Sequence, residues 1–155
     1  MSDTDRNLRR PTAAILLAAV AGIALAGCSL IPGNNVDSNI FTLVVGDCFN
    51  GDIDGEVSAV AFVECSEAHD REVFASIIMN EGEYPGLDAV VDQADAACVT
   101  EFDAFVGVRY EDSIYDFGYL YPLAESWATG DREILCVIYD PAGKIGSGSL
   151  AGAAR

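Results

Sequence analysis

The most regular pattern of hydrophobic positions lies in the middle of the chain, over residues 87–106. The aspartates of this segment fall largely on what would be the opposite face of a helix. The apolar positions recur every three or four residues, with Val90 and Val91 adjacent, and are Leu87, Val90, Val91, Ala94, Cys98, Phe102 and Phe105. The pattern therefore predicts an amphipathic helix, which Gly107 is expected to end.

Shorter hydrophobic segments on both sides of this helix are typical of β-strands. Residues 40–49 are rich in strand-forming residues, and Val44, Val45 and Phe49 are expected to point inward. Residues 57–65 alternate, which predicts a second strand with the inward positions Val57, Ala59, Ala61 and Val63. The remaining predicted elements are a strand over 72–79, an extended segment over 119–123, a helical turn over 124–129 and a strand over 133–139.

These elements predict an α+β fold, a small, mostly antiparallel sheet with one main amphipathic helix on a face. Residues 50–55 are rich in Asn, Gly and Asp, and are expected to form the turn between the first two strands. Residues 143–155 are rich in Gly, Ser and Ala and have no periodic pattern. We therefore expect this last segment to be loosely ordered.

The first 28 residues have the pattern of an export signal. Three arginines precede an apolar run over 13–26, which is shorter than the roughly 20 residues that span a membrane. The run ends in Leu25-Ala26-Gly27-Cys28, which resembles the lipobox of bacterial prolipoproteins. We therefore predict a signal peptide over 1–27 and lipidation of Cys28 by fatty acyl groups such as palmitate. An ordinary signal peptide or an uncleaved anchor is the alternative.

The predicted organisation places one domain close to a membrane. Residues 28–39 hold the lipidated cysteine and a short linker, the domain covers 40–152, and 153–155 form a tail. The 11 linker residues that follow Cys28 reach at most roughly 40 Å. We expect a protein that is anchored to the lipid bilayer of the cell membrane and faces the outside of the cytoplasm.

The charge of the chain excludes one class of partner. The leader holds three of the eight basic and two of the 25 acidic residues, which leaves five and 23 and a net charge of −18. Nucleic acid binding requires clustered Lys and Arg, so no nucleic acid partner is expected. The acidic balance otherwise indicates solubility.

Five cysteines occur, and four remain if Cys28 is lipidated. An even number in an exported chain predicts two disulfides, for which the sequence allows three pairings. Cys48 and Cys65 flank a predicted hairpin, and their pairing closes a loop of about 17 residues, worth roughly 3 kcal/mol. Cys98 and Cys136 would then pair. Zinc is the competing use of four cysteines, but there is no Cys-x-x-Cys pair, so we expect disulfides and no metal.

Several short motifs lie between residues 46 and 152. They are Gly46-Asp47-Cys48-Phe49, Cys65 with His69, Glu72 and Val73, Cys98, Trp127, Gly130-Asp131-Arg132, Cys136 and Ser149-Leu150-x-Gly152. Together they resemble the septum formation domain family of actinobacteria. That family commonly has Pro before the histidine, where this chain has Ala68. The resemblance implies the fold, a location in the cell envelope and a link to cell division, and it implies no catalytic activity.

His69, the only histidine, is the first candidate functional residue. As a general base it would need a nucleophile and an orienting group, for which Asp70 and Glu72 are near in sequence. The favoured alternative is a structural histidine that bonds to the backbone. Because no Gly-x-Ser-x-Gly motif exists either, we do not predict an enzyme.

Trp127, Asp131 and Arg132 form the second candidate, a recognition patch, since Trp and Arg are favoured at interface hot spots. The favoured alternative has Trp127 in the core and Asp131 and Arg132 in an ion pair. A third candidate surface, for a protein or a glycan, is aromatic and consists of Tyr110, Tyr115, Phe117, Tyr119 and Tyr121.

Residues 50–56, which read Asn-Gly-Asp-Ile-Asp-Gly-Glu, resemble the first half of a calcium loop. The closing acidic residue is absent, because the twelfth position is Ala61. We therefore favour an acidic hairpin turn, with weak calcium binding as the alternative.

Two functional hypotheses follow. The first is a non-enzymatic binding or interaction module of the cell envelope, linked to septum formation, whose partner is an unknown membrane-proximal protein. The second is a cell-wall-acting enzyme or a solute- or glycan-binding lipoprotein. The environment of His69 distinguishes them, because burial with backbone hydrogen bonds favours the first and exposure in a cleft beside a carboxylate favours the second. Neither requires a cofactor.

Overall fold

The computed structural model describes residues 37–53 and 59–155, and in these ranges six strands form one antiparallel sheet. The strands are β1 (Asp37–Asn39), β2 (Cys48–Asn50), β3 (Ala59–Val63), β4 (Arg71–Ile78), β5 (Asp116–Leu120) and β6 (Glu133–Tyr139). Their order across the sheet is β1-β3-β2-β4-β6-β5. The helices are α1 (Leu87–Val106) and α2 (Ala124–Trp127), with two 3-10 turns at Ile40–Thr42 and Tyr110–Asp112. The predicted α+β class is confirmed.

Helix α1 has the predicted bounds. Gly107 ends it in the left-handed conformation, with φ +87°, and its N–H donates to the carbonyl of Asp103. Leu87 is 48% exposed, so the buried stripe begins only one turn later. That stripe takes every fourth residue, namely Val90, Ala94, Cys98, Phe102 and Val106.

Strand β6 is buried on both faces because hydrophobic clusters lie on the two sides of the sheet. Ile134, Cys136 and Ile138 join the cluster under α1, whereas Leu135 and Val137 join the second cluster. Alternate residues of a strand point to opposite faces, so an uninterrupted apolar strand fits this position. The other members of the second cluster are Ile40, Leu43, Phe49, Val60 and Val73.

Both predicted disulfides are confirmed. Cys98 on α1 is bonded to Cys136 on β6, with 5.6 Å between the Cα atoms. Cys48 on β2 is bonded to Cys65, just beyond β3, with 5.2 Å between the Cα atoms. The first bond attaches the helix to the sheet, and the second closes the β2–β3 hairpin.

The prediction of a continuous strand over 40–49 is wrong. Val44 and Val45 are 60% and 52% exposed, and only the last residues of the segment form β2. Asp47 makes a turn here, because its carboxylate accepts from the N–H of Val44 and its own N–H donates to the carbonyl of Val44. Phe49 is buried as predicted, and before β2 the buried residues are Ile40 and Leu43, three positions apart across the 3-10 turn.

The inward face predicted for residues 57–65 is also wrong. Val60 is buried and Ala59 is exposed, so the strand presents the opposite set of residues to the interior. Val57 lies outside the described residues. Val60 belongs to the second cluster and Phe62 packs against it, and the burial of these two side chains decides which face of the strand is inward.

The segment 143–155 is not loosely ordered. Ile145 and Leu150 are buried in the core under α1. Backbone hydrogen bonds fasten the segment, since the N–H groups of Gly148 and Gly152 donate to the carbonyls of Cys65 and Phe105. A segment of small residues can thus be ordered by two apolar anchors and backbone bonds, neither of which has a periodic signature.

The beginning of the chain is only partly described. The predicted leader and lipidated Cys28 lie outside the described residues. The last three residues of the predicted linker, Asp37–Asn39, form β1 and pair with β3. Within the described ranges, no helix combines the length and the apolar character that crossing a membrane requires.

Candidate functional site

His69 lies in the interior, immediately before β4, and is fully buried. Its backbone N–H donates to the carbonyl of Ile145, at 3.2 Å. Its ring Nδ1 lies 2.8 Å from the carbonyl oxygen of Glu67. Because a carbonyl can only accept, Nδ1 carries a proton, and in the neutral tautomer the lone pair of the ring is on Nε2. Nε2 has no hydrogen-bond partner among the described residues.

Glu72 is a buried carboxylate on β4 and holds the end of the chain to the sheet. The hydroxyl of Ser149 donates to its Oε1, and the N–H of Leu150 donates to its Oε2 at 2.8 Å. Hydrogen bonds to a charged acceptor compensate for the loss of hydration on burial. The Ser149-Leu150 motif is therefore a structural partner of Glu72, although about 77 positions separate them in sequence.

His69 and Glu72 meet the first disulfide. A side-chain donor atom of His69, a carboxylate oxygen of Glu72 and Cys48 Sγ all lie within 4.8 Å of one another. We call Cys48, Cys65, His69 and Glu72 the buried polar cluster. It brings together motifs that the sequence showed only as separate pieces, and its three mutually close groups are of the types that bind metals. The sequence showed that Glu72 is near His69, but their proximity to Cys48 depends on the pairing of β2 with β4.

Trp127 and Arg132 support one another at the edge of the core. The guanidinium of Arg132 lies 3.8 Å from the centroid of the buried Trp127 ring and donates to the carbonyls of Trp127 and Asp131. The Trp127 indole donates to the carbonyl of Gly82, at 2.9 Å.

The expected ion pair between Asp131 and Arg132 does not form, and Arg132 pairs with Glu81 instead. Arg132 Nε lies 3.4 Å from a carboxylate oxygen of Glu81, which is within ion-pair distance but outside hydrogen-bonding geometry. The Asp131 carboxylate instead accepts from the N–H of Glu133. Trp127 is thus part of the interior. The exposed side of the Trp127, Asp131 and Arg132 candidate consists of the polar side chains around Trp127.

The aromatic candidates form a packed row rather than an open surface. Tyr115 is buried and the others are half-buried, with ring centroids 5.0 Å apart for Tyr110 and Phe117 and 5.8 Å apart for Tyr119 and Tyr121. A hydrogen bond to Asp116 and burial raise the pKa of Tyr110 to about 12. Burial and a hydrogen bond to Asp95 raise the pKa of Tyr119 to about 12.

The first part of the proposed calcium loop is engaged with basic side chains. Asn50 Oδ1 accepts from Lys144 at 2.9 Å, and Asp52 Oδ1 accepts from Arg71 at 2.6 Å. Lys144 also pairs with Asp70. Burial by itself would raise the pKa of Asp70, but hydrogen bonds from Lys144 and Gly51 and the nearby positive charges lower it overall. Residues 54–58 lie outside the described residues, so weak calcium binding stays a prediction.

An exposed apolar surface was missed by the sequence analysis. We call residues Phe41, Val44 and Val45 the apolar loop. Phe41 is 78% exposed, while its neighbours Ile40 and Leu43 are anchored in the second cluster. The three-residue spacing of the anchors was the available signal, but it is too short to distinguish from a strand.

Comparison with known proteins supports the interpretation of the motifs. The family described as septum formation matches residues 45–154. Neither the curated proteins nor the solved structures include a match to this chain. The matched range contains the buried polar cluster and both disulfides, and the match indicates a septum-related role. This chain belongs to the septum formation family.

Proposed function

We propose that this protein is a lipoprotein of the cell membrane, anchored through acylated Cys28, whose domain lies outside the cytoplasm and contributes to septum formation without catalysis. Its role is to bind a membrane-proximal protein of the cell envelope. The eight residues between Cys28 and β1 reach at most roughly 30 Å, so the domain and its partner lie close to the membrane surface.

The environment of His69 is the observation that supports a function without catalysis. Its ring is fully buried and bonded to a backbone carbonyl, so a substrate cannot reach it in this conformation. The hydroxyl of Ser149, which also belongs to the family motifs, donates to Glu72 and not to the histidine. This arrangement supports a structural role for His69.

The apolar loop supports a binding role. Exposed apolar side chains on an otherwise strongly acidic domain favour contact with another protein. The turn made by Asp47 and the buried anchors Ile40 and Leu43 hold the loop in one conformation, so little ordering entropy is lost on binding.

In-cell crosslinking followed by affinity purification of the tagged protein tests this function. Envelope or septal proteins should be recovered with the wild type, and should be reduced at least about tenfold with Cys28→Ala or with Val44→Ser/Val45→Ser. Ile78→Ser is the control, because Ile78 is at least as exposed as Val44 and Val45 but lies on β4. Equal recovery with all variants would contradict the proposed site, and recovery of no protein partner would contradict the function.

Lipidation is tested separately. Growth with an alkyne-labelled fatty acid should label the wild type and leave Cys28→Ala unlabelled. Labelling that survives this substitution would show that acylation occurs elsewhere.

A glycan- or solute-binding role is the second candidate. A shallow cavity of about 350 Å³, lined in part by Tyr110, Tyr115, Asp116 and Pro141, favours it, because aromatic and acidic side chains suit sugar hydroxyl groups. Soluble peptidoglycan fragments should then perturb the NMR signals of these residues, and an unchanged spectrum at millimolar fragment would eliminate this candidate.

A further inference from the structure

We propose that reduction of the Cys48–Cys65 disulfide converts the buried polar cluster into a zinc site, with the Cys48 thiolate, His69 Nε2 and the Glu72 carboxylate as ligands. The three groups lie within 4.8 Å of one another and are buried. Zinc bond lengths of about 2.0–2.3 Å place neighbouring ligands roughly 3.3–3.8 Å apart in a tetrahedral site. Side-chain shifts of about 1 Å would therefore bring the three donors around one ion.

The tautomer of His69 is the one that zinc requires. Nδ1 donates to the carbonyl of Glu67, which fixes the ring and leaves Nε2 as the nitrogen available to a metal. A metal-bound histidine typically donates its other ring nitrogen to a carbonyl or carboxylate in this way. Nε2 is buried without a partner among the described residues, so the oxidised form leaves a strong acceptor unsatisfied.

The disulfide blocks the site in the oxidised protein. A sulfur in a disulfide carries no negative charge and is a poor ligand, so only His69 and Glu72 would be available. Glu72 accepts one hydrogen bond on each oxygen, and each oxygen retains a second lone pair for a metal. Reduction supplies the missing thiolate.

The two disulfides differ in access to a reductant. Cys65 is half-buried, whereas Cys98 and Cys136 are fully buried. A thiolate of a dithiol reductant can attack Cys65 Sγ, which breaks the bond between the two sulfurs and releases Cys48 as a thiolate with the bonding electron pair. The second thiol of the reductant then attacks the mixed disulfide, releases Cys65 and leaves the reductant as its own disulfide.

The first step releases the Cys48 thiolate within 4.8 Å of the ligand atoms of His69 and Glu72. Zinc binding then displaces any proton on Cys48. Cys65 is the nearest further sulfur, because it is bonded to Cys48 in the oxidised state, and its free thiolate can complete a tetrahedral site.

The test is a zinc titration of the purified full-length chain in detergent, in competition with a chromophoric chelator. All proteins carry Cys28→Ala so that this thiol does not contribute. We expect the oxidised protein to bind no zinc, and the protein treated with a dithiol and desalted without oxygen to bind one equivalent. Cobalt in place of zinc should produce a thiolate-to-metal charge-transfer band. No difference between the two redox states would overturn the proposal.

Two single-cysteine variants form a matched pair, since both lack the disulfide. Cys65→Ser leaves the Cys48 thiol free and is expected to bind zinc without reductant, whereas Cys48→Ser is expected to bind at least about tenfold more weakly. His69→Gln keeps both cysteines, so its disulfide can be verified before reduction. Its affinity after reduction should also fall at least about tenfold, and equal affinities within the pair or for His69→Gln would overturn the assignment of the ligands.

Discussion

Buried polar side chains are satisfied to different extents in this domain. Both carboxylate oxygens of Glu72 accept hydrogen bonds from the Ser149-Leu150 segment, whereas His69 satisfies only one ring nitrogen. Arg132 is held by two carbonyls and the ring of Trp127. Such groups are costly to bury without partners, so each partner residue contributes to stability without touching a ligand.

The hydrogen bond from Tyr110 to Asp116 predicts how the stability of the protein depends on pH. Its folded pKa of about 12, raised by the bond to Asp116 and by burial, lies above the value of about 10 in an unfolded chain. The stability that this bond contributes is therefore fully present below about pH 10 and is lost as the pH rises toward 12. Asp116→Asn is expected to lower the pKa of Tyr110, seen as an earlier rise of phenolate absorbance, while Tyr119 titrates as before. An unchanged titration curve would contradict the assignment.

Leu43 and Val44 provide a test of the corrected loop. Leu43→Ala should lower the free energy of unfolding by about 2–4 kcal/mol, because it leaves a cavity in the second cluster. Val44→Ala is the control and should change it by less than about 0.5 kcal/mol, because Val44 is exposed. Urea unfolding measures both, and similar losses for the two would indicate that the segment is a strand with Val44 inside.

At the scale of elements, the central sheet is stabilised through strand β6, which pairs with β4 and β5 and is covered on both faces. The Cys98–Cys136 bond fastens α1 to this strand in the middle of its buried stripe. The helix therefore depends on packing and on this covalent link more than on its end groups, since Gly86 before its first residue offers no side-chain cap.

Removal of the two disulfides should lower the free energy of unfolding by different amounts. The bond between Cys98 and Cys136 spans 38 positions and the other spans 17, so loop-closure entropy predicts losses of about 4 and 3 kcal/mol respectively. The double variants Cys98→Ala/Cys136→Ala and Cys48→Ala/Cys65→Ala, compared by thermal unfolding, should follow this order. The reverse order would mean that local strain or residual unfolded structure dominates.

At the scale of the whole molecule, the C-terminal segment closes the domain. Ile145 and Leu150 fill the core under α1, and backbone bonds connect the segment to Cys65, Phe105 and Val106. Because the last residues contact elements from both halves of the described chain, we expect this part of the chain to unfold cooperatively.

Leu150→Ala tests this closure. The loss of its buried side chain should lower the free energy of unfolding by about 2–4 kcal/mol. Ser147→Ala lies in the same segment but is exposed, and a change within about 0.5 kcal/mol is expected. If both were neutral in urea unfolding, the segment would be as loosely ordered as its composition suggests.

The sequence by itself determined the features whose signal is local or covalent. Helix α1 and strand β6 have their predicted bounds, because the 3.6-residue period and a continuous apolar run directly reflect one-sided and two-sided burial. The Cys48–Cys65 pairing was predicted from the position of the hairpin, and Cys98–Cys136 was the pair that remained. The family motifs were recognisable as separate pieces.

Only the tertiary structure decided which pieces meet. The exposure of Val44 and Val45, the inward direction of Val60 and the order of residues 143–155 depend on packing between segments distant in sequence. The convergence of Cys48, His69 and Glu72 is of the same kind, since pairing of β2 with β4 creates it. Short segments carry too few positions to indicate their neighbours, and the free energy that orders them comes from contacts they make only in the folded chain.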